Sequence, residues 1–166
     1  MLVLTPVADA YVSSADPTTN YGSAPVLYVG RTGSTQIGRA LFRFDLSSLP
    51  AGATVLSATF QANLVSNPVP PPTMTVELKR IVTSWGELSV TWNNQPTYTG
   101  SNPLIVGPAL GYYDWDVLAL VQAWRSGTPN YGLALLSQDE AISAYRGFAS
   151  KEHGGPPPRL VIIYEP

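Results

Sequence analysis

The sequence predicts an all-β protein: an antiparallel β-sandwich, jelly-roll-like, with one short helix near residues 116–125. Two observations support this fold class. Short runs in which apolar and polar residues alternate recur along the chain, and such alternation is typical of strands with one buried face. Sixteen prolines and fourteen glycines separate these runs. Short strands divided by frequent turn residues are typical of sandwiches and barrels.

The N-terminal residues 1–5 are apolar and uncharged and precede Pro6. Leu2, Val3 and Leu4 form either the first strand of the domain or an arm that adds to the sheet of a neighbouring copy. This stretch lacks the basic region and the apolar length of an intact signal peptide. Nowhere does the chain approach the roughly 18 apolar residues of a membrane-spanning helix. We therefore expect a candidate assembly segment at Leu2–Leu4 and no membrane insertion.

The clearest strands lie within RALFRFDLSSLPAGATVLSATFQANL, residues 39–64. In the first run Ala40, Phe42 and Phe44 share one face, because successive side chains of a strand point to opposite sides. Pro50 and Gly52 mark the connection between the two runs. The core face of the second run is predicted to carry Leu56, Ala58, Phe60, Ala62 and Leu64, opposite Ser57, Thr59, Gln61 and Asn63. Strands are also predicted over 9–13, 26–30, 74–81, 132–137 and 160–164.

Three turn signals interrupt the strands. The run NPVPPP at 67–72 predicts a stiff loop rather than a domain boundary, because strand-like sequence continues on both sides. We therefore treat 1–166 as one domain, a length that suffices for a buried core. The triplet Asn-Tyr-Gly at 20–22 and again at 130–132 indicates turns in which Asn or Gly adopts positive φ.

One segment breaks the alternation: DWDVLALVQAWRSG, residues 114–127. Its apolar residues recur at helical spacing, at Val117, Leu120, Val121 and Trp124. Asp116 is placed to cap the N-terminus of a short helix, and Gly127 is placed for the left-handed turn that ends one. We expect this helix to pack its apolar stripe on an open end of the sandwich.

The composition excludes several classes of function. Net charge is −2 and there is no run of Lys and Arg, so nucleic acid is not an expected partner. Cysteine is absent, which excludes disulfides and thiolate metal sites. Only 12% of residues are charged, about half the usual ~25%. Uncharged polar residues are desolvated at a low cost in free energy, which favours self-association or a neutral partner. An extracellular protein with an uncharged polar surface explains the low charge equally well.

Catalytic machinery is not recognisable. His153 is the only histidine, in a glycine-rich loop, so a serine triad has no oriented base. Asp114 and Asp116 flank Trp115 and share a face if extended, but acidic residues before a helix are more simply explained by its dipole. Asp9, Asp16 and Asp45 are calcium ligands by residue type alone, without ligand spacing. The sequence thus predicts no enzyme, no metal and no cofactor.

Several motifs follow one another in a characteristic order. They are ADAYV at 8–12, NYG at 20–22, RALFRFDLSSLPAG at 39–52, SWGELSVTWNNQP at 84–96, DVLALVQAW at 116–124, NYG at 130–132, FASKE at 148–152 and PRLVIIY at 158–164. In these motifs the chain resembles the DNRLRE-type β-sandwich domains, which overlap jelly-roll carbohydrate-binding modules of secreted proteins. The resemblance implies a non-catalytic, jelly-roll-like domain. One departure is Leu118, where the family usually has threonine.

Aromatic residues in loops are the candidate ligand contacts, because sugar-binding modules stack exposed rings on the apolar face of a pyranose. The candidates are Tyr21, Tyr98, Tyr112 and Tyr131, with Arg31 placed to pair with an acidic sugar. The alternative for each of these residues is a structural role, in which the side chain packs over its own loop and contacts no ligand.

Two hypotheses about function follow. The first is a non-catalytic extracellular or cell-surface structural module that self-associates as a filament or surface-assembly subunit, by strand addition from the N-terminal arm. The alternative is a carbohydrate-binding module of a larger secreted enzyme or adhesin. The expected partners are copies of the chain in the first case and a polysaccharide in the second.

Overall fold

A computed structural model describes residues 1–69 and 71–166 of the chain, and these form twelve antiparallel strands and one short helix. The predicted all-β class with one helix is confirmed. In chain order the elements are β1 (Leu2–Leu4), β2 (Ala8–Ser13), β3 (Val26–Thr32), β4 (Gln36–Arg43), β5 (Thr54–Val69), β6 (Met74–Ile81), β7 (Tyr98–Thr99), β8 (Pro103–Val106), β9 (Gly111–Asp116), α1 (Leu118–Arg125), β10 (Leu133–Ser137), β11 (Ala144–Ala149) and β12 (Arg159–Glu165).

The strands form two layers that are joined through β3. In one layer β4 pairs with β2 and β10, β10 pairs with β6, and β7 and β8 pair with β6. In the other layer β5 pairs with β12, β9 and β11, and β1 extends the sheet beyond β12. The ring centroids of Phe42 in β4 and Phe60 in β5 lie 5.0 Å apart, so the two layers share one apolar core.

In β5 the predicted core face is confirmed from Ala58 to Leu64 and fails at Leu56. Phe60, Ala62 and Leu64 are fully buried. Leu56 was predicted on the same face, and this is wrong: its side chain is 48% exposed, whereas Val55 is 6% exposed. The register between β12 and β5 shifts after the Ile163–Ser57 pair, and the extra residue of the resulting bulge reverses the two faces.

A second apolar cluster covers the outer face of the layer that contains β4. Ala10 and Leu41 from this sheet pack there against Trp85 of the connection between β6 and β7. The indole N–H of Trp85 donates a 2.7 Å hydrogen bond to the carbonyl of Tyr131, which fixes the ring over the sheet. Both faces of β4 are therefore buried along its centre.

The helix begins two residues after the predicted start, because Asp116 still belongs to β9. The Asp116 Oδ1 atom accepts a 2.9 Å hydrogen bond from the N–H of Leu118, but Val117 occupies the N-cap position, so the prediction of Asp116 as the N-cap is wrong by one residue. Val121 and Trp124 are the buried residues of the helix, and Gly127 follows it with φ +107°. No helical segment found in 1–69 and 71–166 has the length and apolar character needed to span a membrane.

The two Asn-Tyr-Gly triplets form matching turns. The side-chain oxygens of Asn20 and Asn130 each accept a 3.0 Å hydrogen bond from the N–H of the glycine two residues later. The predicted positive φ occurs at Gly132, at +89°, and not at Gly22. A Cβ on Gly22 would stand 1.9 Å from the carbonyl oxygen of Glu87, so glycine is needed there for close approach.

The N-terminal segment lies in the sheet of its own chain. Leu2, Val3 and Leu4 pair with Ile162, Val161 and Leu160 of β12, and Leu2 and Leu4 pack against the core while Val3 faces outward. At the other predicted irregular site, β5 runs on through Val69, so the first half of the predicted 67–72 loop is strand instead. Pro70 of that loop lies outside the described residues.

Candidate functional site

One broad surface of the molecule is formed by β12, β5 and β9, on the side away from the core. Cross-strand partners in a sheet point the same way. The row Leu160–Phe60–Trp115 faces inward and is buried. The neighbouring rows must face outward, and they carry mostly polar side chains. We call this surface the polar face, and it consists of Thr59, Gln61, Asn63, Tyr112, Asp114, Asp116 and Arg159.

A chain of hydrogen bonds crosses the polar face from strand to strand. The Nε atom of Arg159 donates to Oε1 of Gln61 at 2.6 Å, and Nε2 of Gln61 donates to Oδ1 of Asp114 at 2.9 Å. The guanidinium carbon of Arg159 also lies 4.2 Å from the ring centroid of Tyr112, within the range of a cation–π contact. These contacts hold four side chains in one arrangement before any ligand arrives.

The loop that precedes β12 anchors two side chains of the polar face, Tyr112 and Asn63. The hydroxyl of Tyr112 donates to the carbonyl of Pro157 at 2.7 Å, and Nδ2 of Asn63 donates to the carbonyl of Pro156 at 3.0 Å. Proline has a restricted backbone and no N–H of its own, so its carbonyls are rigid acceptors. Tyr112 of β9 and Asn63 of β5 are thus held in place both by their strands and by this loop.

The polar face offers both signs of charge and both kinds of hydrogen-bonding group. Asp114 and Asp116 are exposed, and Arg159, Gln61 and Tyr112 are partly exposed. Arg159 retains N–H groups beyond the one bonded to Gln61, and the aspartates retain acceptor oxygens. Such a surface can bind a ligand that presents many hydroxyls, each of which donates and accepts.

An open groove of about 730 Å³ adjoins the polar face at Asp116. It runs between α1 and β6 and includes Arg80, Asn102 and Gln122 in its lining. The side chain of Asn102 donates a 2.8 Å hydrogen bond to the carbonyl of Asp116, which joins the groove to the end of β9. A long ligand on the polar face can therefore continue into a concave surface.

The structure places one predicted ligand residue, Tyr112, on the polar face. Tyr21 lies elsewhere: its ring stacks on Tyr11 with centroids 4.4 Å apart, and its hydroxyl donates to Asp16 at 2.7 Å. Arg31 donates to the carbonyls of Glu140 and Ser34, so its guanidinium closes the loop around it. These two residues are not brought together with Tyr112.

Tyr98 and Tyr131 belong to the second apolar cluster. Burial raises the pKa of Tyr98 above its ordinary value, and the hydroxyl donates to Oε1 of Gln95 at 2.9 Å. Tyr131 lies beside Arg43 in a shallow pocket whose lining also includes Asn130. The predicted ligand residues are therefore spread over several surfaces, and their role in binding stays a prediction.

The residues Gln61, Asp114 and Arg159 were not among the predicted ligand contacts. A signal for them existed: Gln61 lies in the polar half of the alternation in β5, and Asp114 is two residues after Tyr112 on the same strand face. What the sequence did not show was that β5 lies between β9 and β12, which brings Arg159 beside both.

Three carboxylates meet at one end of the molecule, and we call them the acidic cluster: Asp9, Glu87 and Glu152. One oxygen of each lies within 4.8 Å of the others. The ammonium of Lys151 is 2.7 Å from Oε1 of Glu87 and 2.9 Å from Oε1 of Glu152. Asp16 and Asp45, the other aspartates considered for a cation, hydrogen-bond instead to Tyr21 and Ser47.

Asp9 is the buried member of the acidic cluster, at 1% exposed. Its Oδ2 atom accepts a 2.8 Å hydrogen bond from the N–H of Lys151, whereas its buried Oδ1 atom has no hydrogen-bond donor within the described residues. Burial, with the nearby charge of Glu152, raises the pKa of Asp9 to about 7. Hydrogen bonds to Glu87 and Glu152 raise the pKa of Lys151.

Comparison with known proteins identifies both a family and several distant relatives. The sequence profile of carbohydrate-binding module family 96 matches residues 2–164. The tRNA nuclease WapA of Bacillus subtilis (strain 168) is 24% identical over 95% of the chain, and so is the tRNA(Glu)-specific nuclease WapA of Bacillus subtilis subsp. natto. The tRNA3(Ser)-specific nuclease WapA of Bacillus spizizenii is also 24% identical over 95% of the chain. The aligned region is 7% of each relative.

Proposed function

The chain belongs to carbohydrate-binding module family 96, and we propose that it binds a polysaccharide through the polar face without catalysing a reaction on it. The observation that carries this proposal is the ordered row Arg159–Gln61–Asp114 beside the ring of Tyr112. A neighbouring sugar ring would meet donors and acceptors that are already oriented, which reduces the entropy lost on binding.

The polar face suits a chain of sugars better than a small molecule. It is broad and open, whereas pockets for small ligands enclose most of the ligand surface. The groove of about 730 Å³ adjoins this surface at Asp116 and enlarges the area open to a long ligand. Each sugar unit then makes a few hydrogen bonds, and affinity grows with the number of units in contact.

Affinity electrophoresis tests the proposal. The chain is run in native gels that contain one soluble polysaccharide each, from a panel of neutral glucans, xylans and mannans and of uronic-acid polymers. Retardation by at least one polymer is expected. Gln61→Ala and Arg159→Gln should abolish it, because each breaks the row, whereas Gln138→Ala and Arg43→Gln are matched controls that lie outside both the polar face and the groove.

Two results would overturn the proposal. One is free migration of the wild type through every gel of the panel. The other is retardation that Gln61→Ala and Arg159→Gln leave unchanged. In the second case Tyr21→Ala and Tyr131→Ala decide whether one of the separately predicted tyrosines forms the binding surface instead.

We also propose that the chain has no nuclease activity of its own, although its relatives are named as tRNA nucleases. The chain corresponds to 7% of each relative, so most of each relative lies outside the similarity. Its net charge of −2 and its single histidine give little with which to bind phosphates or move protons. An extracellular or cell-surface location agrees with a polysaccharide ligand. Incubation with total tRNA should leave the tRNA intact.

Self-association is the second candidate function, and the N-terminal strand favours it. Among the described residues β1 pairs with β12 alone, which leaves its other side as a sheet edge. Val3 and Ile163 are exposed apolar residues next to this edge. Analytical ultracentrifugation over a wide concentration range should then show oligomers that dissociate in a Val3→Lys, Ile163→Lys variant. A monomer at every concentration would exclude this function.

A further inference from the structure

We propose that the acidic cluster binds a divalent cation, Ca²⁺ by its ligand chemistry, and that the Lys151 ammonium occupies the cation position until the ion displaces it. Asp9, Glu87 and Glu152 provide the ligand oxygens. This site is separate from the polar face and does not depend on the polysaccharide proposal.

The geometry fits an ion of this size. Ca²⁺ binds oxygens at 2.3–2.6 Å, so two ligands on opposite sides of it are about 5 Å apart. The three carboxylate oxygens lie within 4.8 Å of one another, which matches that separation. The ammonium of Lys151 already bridges Glu87 and Glu152 at 2.7 and 2.9 Å. A positive charge is therefore accommodated at this point.

A second observation, separate from the clustering of the carboxylates, points to a ligand beside Asp9. Its side chain is 1% exposed, and its Oδ1 atom lacks a hydrogen-bond donor in the part of the chain that the structure describes. A buried polar atom without a partner costs free energy, and a bound cation would remove that cost. Lys151 gives its backbone N–H to the other oxygen, Oδ2, so the carboxylate is held in place with Oδ1 available.

The charge balance favours a divalent ion over the lysine. With all three carboxylates ionised, the cluster carries −3, and one ammonium leaves −2. The Lys151 side chain is 29% exposed, so its ammonium can move into water when an ion arrives. Asp9 lies on β2, Glu87 in the connection between β6 and β7, and Glu152 in the loop after β11. A cation would tie these three segments together.

The experiment uses the full chain after removal of metals with EDTA, with CaCl₂ as the probe. Isothermal titration calorimetry at neutral pH should show one site, and thermal unfolding should shift upward with Ca²⁺, because binding to the folded state stabilises it. Asp9→Asn and Glu152→Gln should weaken binding by about tenfold or more. Glu165→Gln, an acid-to-amide change on the exposed end of β12, should bind as the wild type does.

The Lys151→Gln variant keeps the test decisive if Asp9→Asn does not fold. Removal of the competing ammonium should tighten Ca²⁺ binding, which calorimetry would register as a lower dissociation constant than that of the wild type. The proposal is overturned if neither the wild type nor Lys151→Gln responds to millimolar Ca²⁺. It is also overturned if Asp9→Asn, Glu152→Gln and Glu165→Gln all respond as the wild type does, since the effect would then be general screening.

Discussion

Replacement of Gly132 by alanine is expected to destabilise the chain well beyond the usual cost of losing a glycine. Gly132 has φ +89°, and a Cβ there would stand 1.9 Å from the carbonyl oxygen of Phe42 and 2.9 Å from Cα of Arg43. Both contacts are with the backbone of β4, which is hydrogen-bonded to β2 and β10 and cannot move aside easily.

The magnitude follows from two contributions. A left-handed backbone costs a non-glycine residue about 1–2 kcal/mol. Displacement of packed backbone costs about 1–3 kcal/mol more. The free energy of unfolding should therefore fall by about 2–5 kcal/mol, out of a total of about 5–15 kcal/mol for a typical domain.

Gly100→Ala is the matched control. Gly100 has nearly the same backbone angle, φ +92°, but no atom lies within 4 Å of a Cβ added there. Its cost should be about 1–2 kcal/mol from the backbone alone. Urea unfolding followed by tryptophan fluorescence measures both variants. Equal losses in Gly132→Ala and Gly100→Ala would refute the close approach of this turn to β4.

Three further outcomes are expected. Trp115→Ala should lower the free energy of unfolding by about 3–5 kcal/mol in the same urea titration, because the ring is 1% exposed; a loss below about 1 kcal/mol would contradict its place in the core. Deletion of residues 1–5 should lower the midpoint of thermal unfolding by calorimetry, since Leu2 and Leu4 pack on the core; an unchanged midpoint would mean that β1 adds no stability. With EDTA present, the free energy of unfolding should fall as pH rises from about 4 through about 7. Burial raises the pKa of Asp9 from 3.8 to about 7, so the carboxyl group stabilises the folded state only while it is protonated. Glu87, Glu152 and Lys151 are the charged groups around it, and Asp9→Asn should flatten this pH profile.

Local pattern accounts for much of the fold. The alternation around Phe42 and Phe60 identified β4 and β5 and their buried faces, because a register error there would expose large rings. The same reasoning failed at Leu56, since a bulge depends on the partner strand and leaves no mark in the alternation. β11 was not predicted as a strand: all of its residues, Ala144–Ala149, are buried, so alternation is absent.

The candidate sites were harder to predict because they depend on long-range pairing. Tyr112 was a candidate from its residue type, but Gln61 and Arg159 become its neighbours only through the pairing of β5 with β9 and β12. The acidic cluster is the extreme case. Asp9, Glu87 and Glu152 lie far apart in the chain, and nothing near any one of them in the sequence indicates the other two.

The burial of β4 on both faces has a consequence for local opening. Ala40, Leu41 and Phe42 are each 0% exposed, and β10 beside them is buried in the same way. Amide hydrogens in such a pair exchange with solvent only when large parts of the molecule open, so they should be the slowest to exchange. The layer that carries the polar face is exposed to solvent on one side, so its amide hydrogens should exchange sooner. A ligand on the polar face would therefore contact the layer that opens more readily, while the layer of β4 and β10 beneath it opens only when large parts of the molecule unfold.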